Sequence, residues 1–223
     1  MTREELASYI DHTLLKPDAG KSQIVQLCRE AMEYGFWSVC VNPVWVPLCS
    51  DLLVHTSVKI CTVVGFPLGA IKSEAKAFEA QQAIADGAHE IDMVISIGEL
   101  KDGEVSLVQD DIEMVRSVCP DAVLKVIIET CLLTETEKRE ACLAAQRAGA
   151  EFVKTSTGFA GGGAAVEDVR LMHSLVSPGM QVKASGGVRN FADATAFIGA
   201  GATRLGASAG IAIIKGIPVH ADY

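Results

Sequence analysis

The chain has 223 residues, of which 49% are hydrophobic and 21% are charged, and its 28 acidic and 19 basic residues give a net charge of −9. This composition is too apolar for a disordered chain and too acidic for a nucleic-acid-binding surface, so neither class is expected. The chain has no stretch of about 18 uncharged apolar residues, so no membrane span is predicted.

Short runs rich in Val and Ile alternate with segments of helical periodicity along the whole chain. The runs are almost continuously apolar, which is typical of strands buried on both faces of a parallel sheet. The predicted strands are at residues 9–13, 37–42, 58–66, 89–96, 122–129, 151–156, 181–186 and 203–208. Between them, apolar stripes predict helices at residues 22–34, 73–86, 105–118, 135–148 and 166–175.

Two local signals mark where helices begin and end. Thr134 and Glu137 have the spacing of a capping box, so we expect a helix to begin there. Four helical segments are each followed by a glycine, which supplies the left-handed backbone that ends a helix. These glycines are Gly35, Gly87, Gly149 and Gly201.

The order of these elements predicts one domain spanning residues 1–223. A helix end, a Gly-Ala turn and a strand recur around Gly87, Gly149 and Gly201, and strand starts are about 20–35 residues apart, the length of one βα unit. Eight such units predict a small (β/α)8 TIM barrel. The alternative is a doubly wound open sheet, but that fold has fewer strands and a glycine-rich turn after the first one. Here the glycine-rich turns cluster near the end.

The cysteines and histidines argue against disulfide and metal chemistry. The seven cysteines form no Cys-x-x-Cys pair and most lie in apolar runs, which is typical of a reduced, cytoplasmic protein. The five histidines have neither His-x-His nor His-x-x-x-His spacing, so we expect no protein-bound catalytic metal.

Two lysines late in consecutive strands are the strongest candidates for catalysis. Catalytic residues of a (β/α)8 barrel lie at the carboxyl ends of the strands, and Lys154 and Lys183 each precede a turn of small residues. Neighbouring strands are about 4.8 Å apart, so the two ammonium groups can approach closely. A nearby like charge and partial burial favour a neutral amine, the nucleophile that forms a Schiff base with a carbonyl. The alternative is that both lysines are structural and bind carboxylates, but two buried lysines on adjacent inner positions would be costly.

Other polar residues lie within the strands. Asp92 is flanked by apolar residues, so it needs either a cationic partner such as Lys125 or a proton-transfer role. Lys59 and Lys125 lie early in their strands and are expected at the barrel floor or in salt bridges, with Glu129 balancing one of them. The remaining polar strand positions are Asp11, Glu90 and Arg204.

Glycine-rich turns after the last strands predict a phosphate site. Residues 185–189 follow the seventh strand and residues 206–210 the eighth, where barrels of this fold often bind phosphate. Glycines allow backbone N–H groups to converge on an anion, and a helix N-terminus favours negative charge. Either turn alone is equally consistent with a plain connector. Residues 158–163, beside Lys154, form a third such loop, either an ordinary mobile loop or a lid.

Several segments together resemble deoxyribose-phosphate aldolases over essentially the full chain. The most specific are Val-Lys-Thr-Ser-Thr-Gly at 153–158 and Val-Lys-Ala-Ser-Gly-Gly at 182–187. The other matching segments are Asp-His-Thr-Leu-Leu-Lys-Pro at 11–17, Val-Cys-Val-Asn-Pro at 39–43, Gly-Phe-Pro-Leu-Gly at 65–69, Gly-Ala-His-Glu-Ile-Asp-Met-Val at 87–94, Lys-Val-Ile-Ile-Glu-Thr at 125–130 and Arg-Leu-Gly-Ala-Ser-Ala-Gly at 204–210. The resemblance implies a class I aldolase that cleaves 2-deoxy-D-ribose 5-phosphate reversibly to D-glyceraldehyde 3-phosphate and acetaldehyde, without a cofactor.

The resemblance also implies roles for individual residues. The family's Schiff-base lysine falls on Lys154, its second lysine on Lys183 and its proton-relay aspartate on Asp92, the residues that the strand positions also select. Asp11 and Thr157 are further candidates. Phosphate binding falls on five positions in the glycine-rich turns. They are Gly158, Gly186, Gly187, Gly206 and Ser208.

Three features of this chain bear on those expectations. Some family members have a lysine where Phe159 stands and a serine where Ala209 stands, so fewer phosphate donors are expected here. Some also end in tyrosine, and Tyr223 is a candidate for protonating the enamine intermediate, with an exposed tail as the alternative.

The resemblance favours a homodimer acting on a small sugar phosphate, not on nucleic acid or a membrane. The alternative functions are a metal-dependent aldolase or isomerase and a non-catalytic sugar-phosphate-binding barrel.

Overall fold

The computed structural model describes residues 1–176 and 178–217, and its eight strands close into a parallel barrel in chain order. The strands are β1 (Ile10–Leu14), β2 (Ser38–Val41), β3 (Lys59–Val64), β4 (Glu90–Val94), β5 (Val123–Ile127), β6 (Phe152–Lys154), β7 (Gln181–Ser185) and β8 (Arg204–Ala207). Pairing of Ile10 on β1 with Leu205 on β8 completes the ring. The predicted (β/α)8 barrel is therefore confirmed, and the open-sheet alternative is wrong.

Helices follow the strands around the outside of the barrel. They are α1 (Arg3–Ala7), α2 (Lys21–Tyr34), α3 (Val46–Leu53), α4 (Ser73–Ala85), α5 (Ile97–Lys101), α6 (Val105–Val118), α7 (Glu135–Arg147), α8 (Val166–Val176), α9 (Phe191–Gly199) and α10 (Gly210–Lys215). The five predicted helices are confirmed to within a residue at each end. The other five were not predicted because each has at most 9 residues, too few for a clear apolar stripe. Within the described ranges, no helix has the length and apolarity to cross a bilayer.

The predicted helix boundaries agree with the structure. Thr134 caps α7: its hydroxyl accepts from the backbone N–H of Glu137, and its own N–H donates to the Glu137 carboxylate. The four glycines predicted to end helices all have positive φ. At Gly201, a Cβ would lie only 2.4 Å from the ring of His173, so both backbone and packing require glycine there.

The barrel interior is charged, unlike the branched apolar layers usual in this fold. The main apolar core lies between sheet and helices, and a small second cluster holds Leu15, Cys40, Cys61 and Val63. Seven charged strand residues are buried. They are Asp11, Glu90, Asp92, Lys125, Lys154, Lys183 and Arg204. Buried charges are costly unless they are paired, so this interior is the candidate functional site.

A separate buried ion pair lies between α4 and α6. Lys76 donates to the Asp111 carboxylate at 2.6 Å and to the Val94 carbonyl at 2.9 Å, and both charged side chains are buried. The stem of Lys76 packs against Gly65, where a Cβ would lie 3.0 Å from it. The pair therefore ties the two helices to the carboxyl ends of β3 and β4.

Breaking this pair is expected to reduce stability. Lys76→Met leaves the buried Asp111 carboxylate without its cation, which typically destabilises a protein by about 3–5 kcal/mol. Combining Lys76→Met with Asp111→Leu should recover most of that loss, because no buried charge remains. Urea unfolding of both variants measures the difference. Equal destabilisation of the single and double variants would contradict this account.

Candidate active site

The strand register brings the three main candidates together. Lys154 on β6 pairs with Lys183 on β7, so the two lysines lie side by side. Both Nζ atoms donate to Oδ2 of Asp92 on β4, each at 2.7 Å. Lys125 on β5 donates to the other oxygen, Oδ1, at 2.9 Å. One buried carboxylate therefore binds three lysines. The sequence predicted the proximity of Lys154 and Lys183 and named Lys125 as a possible partner of Asp92.

Towards the amino ends of the strands, a second group of ion pairs forms the barrel floor. Nη1 of Arg204 lies 2.8 Å from Oδ1 of Asp11 and 2.9 Å from Oε2 of Glu90. The guanidinium lies over two aromatic rings, 4.4 Å from the centroid of Trp37 and 5.3 Å from that of Phe152. The sequence singled out Asp11, Glu90 and Arg204 as polar strand positions but did not predict that they pair with one another. The spacing of Trp37 in the sequence carries no signal for its contact with Arg204.

The number of carboxylate partners distinguishes the three lysines. Lys183 and Lys125 each have a second carboxylate at 2.5 Å, from Asp11 and Glu90 respectively. Within the described residues, Lys154 has only the carboxylate that it shares with the other two lysines. It is also 3% exposed, whereas the other two are 0% exposed. Among the described residues, Lys154 is therefore the lysine of this cluster with the fewest carboxylate partners and the one with exposed surface.

The charges in the barrel interior shift the pKa values of Asp92 and Lys183 strongly. Four cations face three carboxylates in the barrel. Burial alone would raise the pKa of Asp92, but Lys125, Lys154 and Lys183 hold it well below its usual range. Burial alone would lower the pKa of Lys183, but Asp11 and Asp92 raise it above its usual value. Lys183 therefore places a retained positive charge directly beside Lys154.

Glu129 was expected to balance Lys59 or Lys125, and this prediction is wrong. The strand predicted to reach residue 129 ends at residue 127. The left-handed backbone of Glu129 turns its side chain to the barrel mouth, which is the opening at the carboxyl ends of the strands. There its carboxylate accepts hydrogen bonds from Thr157. Lys125 forms the expected salt bridges with other carboxylates. Lys59 is exposed at the start of β3.

The glycine-rich turns after β6 and β7 lie in contact at the mouth. A Cβ on Gly186 would lie 3.6 Å from Cα of Gly158, and both residues have positive φ. In the described part of the chain, the backbone N–H groups of Gly158, Gly186, Gly187 and Ser208 donate no hydrogen bond. Unpaired amides on adjacent turns can bind an anion. The arrangement therefore supports the predicted phosphate positions after β6, β7 and β8.

The other candidates lie in different surroundings. At Gly206 a Cβ would lie 2.9 Å from the side chain of Ser185, so glycine allows β7 and β8 to approach. Phe159, which stands where some relatives have lysine, packs edge-to-face against Phe66 with ring centroids 5.3 Å apart. The mouth is therefore apolar where those relatives are cationic. Tyr223 lies outside the described residues.

Two groups of potential metal ligands occur among the described residues. They are Cys40, Cys61 and Asp92, and Asp11, Cys61 and Glu90. Each carboxylate in these groups already binds a lysine or Arg204, and Sγ of Cys61 lies 3.4 Å from Nζ of Lys125. Because ammonium and guanidinium groups occupy the cation positions, these residues suit lysine chemistry better than metal chemistry.

The sequence and the fold of this chain are similar to those of known proteins. The sequence model of DeoC/LacD family aldolases matches residues 6–216. The chain is 59% identical to deoxyribose-phosphate aldolase 1 of Bacillus licheniformis, over 99% of both chains. It is also 59% identical to the deoxyribose-phosphate aldolase of Streptococcus pneumoniae serotype 19F, over 98% of this chain and 100% of that one. The tetrameric deoxyribose phosphate aldolase from Aeropyrum pernix has a TM-score of 0.90 and 37% identity, covering 96% of this chain and 91% of that one. By sequence and by fold, this chain belongs to the DeoC/LacD family of aldolases.

Proposed function

We propose that this chain is a class I aldolase that cleaves 2-deoxy-D-ribose 5-phosphate reversibly into D-glyceraldehyde 3-phosphate and acetaldehyde. The main support is that Lys154 and Lys183 share one oxygen of Asp92 inside a barrel whose mouth carries unpaired glycine amides. The lysines suit Schiff-base chemistry on a carbonyl. The amides suit the phosphate of the same substrate.

The reaction begins with Lys154 as a neutral amine. Its Nζ attacks the aldehyde carbon, C1, of the open-chain sugar, and the carbinolamine loses water to give a protonated imine. The iminium withdraws electrons while Asp92, directly or through a water molecule, accepts the proton of the C3 hydroxyl. The C2–C3 bond then breaks and glyceraldehyde 3-phosphate leaves. Protonation of the enamine at C2 and hydrolysis release acetaldehyde and regenerate Lys154.

Lys183 supports these reaction steps without forming the covalent bond. Its two carboxylate partners keep it charged, so it is a poor nucleophile. Its ammonium group disfavours a second positive charge on Lys154 before the attack. It also places a proton donor beside the carbinolamine hydroxyl, which must leave as water.

Borohydride trapping tests the reaction class and the nucleophile together. Borohydride added with acetaldehyde reduces a Schiff base to a stable amine, and peptide mapping is expected to find the adduct on Lys154. Cleavage of 2-deoxyribose 5-phosphate is followed by coupled detection of glyceraldehyde 3-phosphate. A metal-dependent aldolase or isomerase would lose activity in EDTA and form no adduct. A binding protein would retain the sugar phosphate without turnover.

Asp92→Asn is expected to lower kcat by at least about 10²-fold, the usual contribution of a positioned acid–base group. The amide keeps the shape of the carboxylate, but it accepts no proton and no longer neutralises the lysines. Steady-state kinetics measures the loss. Asp168→Asn, which removes a carboxylate paired with Lys138 on the outside of the barrel, is the control and should keep the wild-type kcat. Full activity of Asp92→Asn would remove this residue from the mechanism.

We also propose a cytoplasmic homodimer, each subunit one domain spanning residues 1–223. All seven cysteines are free and six of them are buried, which suits a reducing compartment. Because the Aeropyrum pernix relative is tetrameric, light scattering after size-exclusion chromatography should distinguish a dimer from a tetramer. Limited proteolysis that released a stable fragment would contradict a single domain.

A further inference from the structure

Glu129 has an unusual backbone directly after β5. Its φ of 56° and ψ of 66° are left-handed, and in the described ranges no other residue except glycine has a positive φ. This conformation is sterically unfavourable for a residue with a side chain. It persists only where surrounding contacts compensate, and such positions cluster at functional sites.

The compensating contacts go to the turn that follows Lys154. The Glu129 carboxylate accepts a shared hydrogen bond from the backbone N–H of Thr157, at 3.3 Å to Oε1 and 3.2 Å to Oε2. The Thr157 hydroxyl also donates to Oε2. The same hydroxyl oxygen accepts from the backbone N–H of Phe159 at 3.0 Å. Glu129 therefore fixes the chain on both sides of Gly158.

The other end of this loop is fixed to β7. The backbone N–H of Ala164 lies 3.1 Å from the Ser185 carbonyl and 2.9 Å from the Gly186 carbonyl. A Cβ on Gly163 would lie 2.5 Å from the Gly186 oxygen, so the two backbones are in close contact. With both ends held, Gly158 stays beside Gly186.

We infer that Glu129 is the positioning residue of the phosphate subsite. It acts through Thr157 and not on the reacting atoms, because it holds the unpaired Gly158 amide next to Gly186. It therefore sets the preference for a phosphorylated over an unphosphorylated sugar. This inference deepens the proposed function and rests on it.

Two variants separate the carboxylate from the strained backbone. Glu129→Gly removes the carboxylate and adopts the left-handed conformation without strain, so the fold is kept. Its KM for 2-deoxyribose 5-phosphate should rise about 10- to 100-fold, as for the loss of a hydrogen bond to a charged group. Glu129→Gln, which keeps one acceptor oxygen, should show a smaller rise. Neither variant should change kcat/KM for unphosphorylated 2-deoxyribose or borohydride trapping at Lys154.

Inorganic phosphate provides a second readout of the same subsite. It should inhibit wild-type cleavage of 2-deoxyribose, and its inhibition constant should rise in both Glu129 variants in proportion to KM. Asp111→Asn is the matched control, because Asp111 is an equally buried carboxylate that pairs with Lys76 and not with the turn after β6. It should lower the melting temperature and leave the ratio of kcat/KM for the two sugars unchanged.

The outcomes distinguish this inference from the proposed function. Equal losses on both sugars in Glu129→Gly, or an unchanged KM for both, would overturn the positioning role. A wild-type protein that forms no adduct with acetaldehyde and cleaves neither sugar would overturn the proposed function instead.

Discussion

Lys154→Met should abolish cleavage of 2-deoxyribose 5-phosphate, with kcat lower by at least about 10⁴-fold, as when a covalent nucleophile is removed. Methionine keeps an unbranched apolar stem, so the packing inside the barrel is largely retained while the amine is lost. Borohydride with acetaldehyde should then label no residue. Mass spectrometry of the intact variant and of its peptides measures both effects.

A surface lysine provides the control for this experiment. Lys138 on α7 pairs with Asp168 at the periphery, so Lys138→Met should leave trapping and kcat at wild-type levels. If the wild-type adduct were found on Lys125 or Lys183, the assignment of the nucleophile would be wrong. The number of carboxylate partners of each lysine would then not identify the reactive amine.

Lys183→Met should reduce kcat by about 10²- to 10³-fold near neutral pH and recover part of it at alkaline pH. Loss of this charge frees Asp92 to stabilise the ammonium form of Lys154, so less neutral amine is present near pH 7. Raising the pH deprotonates Lys154 and restores the nucleophile. The pH dependence of kcat, measured for wild type and variant, shows whether the rising limb moves to higher pH.

The contrary result for Lys183 is equally clear. A variant whose pH dependence has the wild-type shape at a uniformly lower rate would show that Lys183 acts as a proton donor and not through its charge. Lys101→Met, which removes a half-exposed lysine paired with Glu137, should change neither the rate nor its pH dependence.

The strands and the two lysines were readable from the sequence because they depend on local pattern. Apolar runs of β-branched residues mark buried strands, and consecutive strands of a barrel are neighbours, so Lys154 and Lys183 had to lie side by side. The contact of Asp92 with both lysines depends on barrel closure, which carries a side chain of β4 across to β6 and β7. The fold class predicted this proximity, but only the structure gives the shared oxygen.

The error at Glu129 has its physical origin in backbone geometry. Glu129 appeared to be the last residue of an apolar run, yet its left-handed backbone reverses the direction of its side chain. Nothing in the residue types around it signals that conformation, since a non-glycine residue rarely adopts it. The short helices α3 and α9 were missed for a different reason, because segments of 8 and 9 residues are too short for a clear apolar stripe.

Arg204, lying over Trp37 and Phe152, shuts the barrel at its amino end. Molecules therefore enter and leave the proposed active site through one opening, at the carboxyl ends of the strands. The sugar phosphate, the water that hydrolyses the imine and both products all use it. With the phosphate at the glycine-rich turns, as proposed, the phosphate-bearing fragment stands between Lys154 and that opening. The proposed mechanism therefore predicts ordered release, with glyceraldehyde 3-phosphate first and acetaldehyde second, and entry of acetaldehyde first in the synthetic direction.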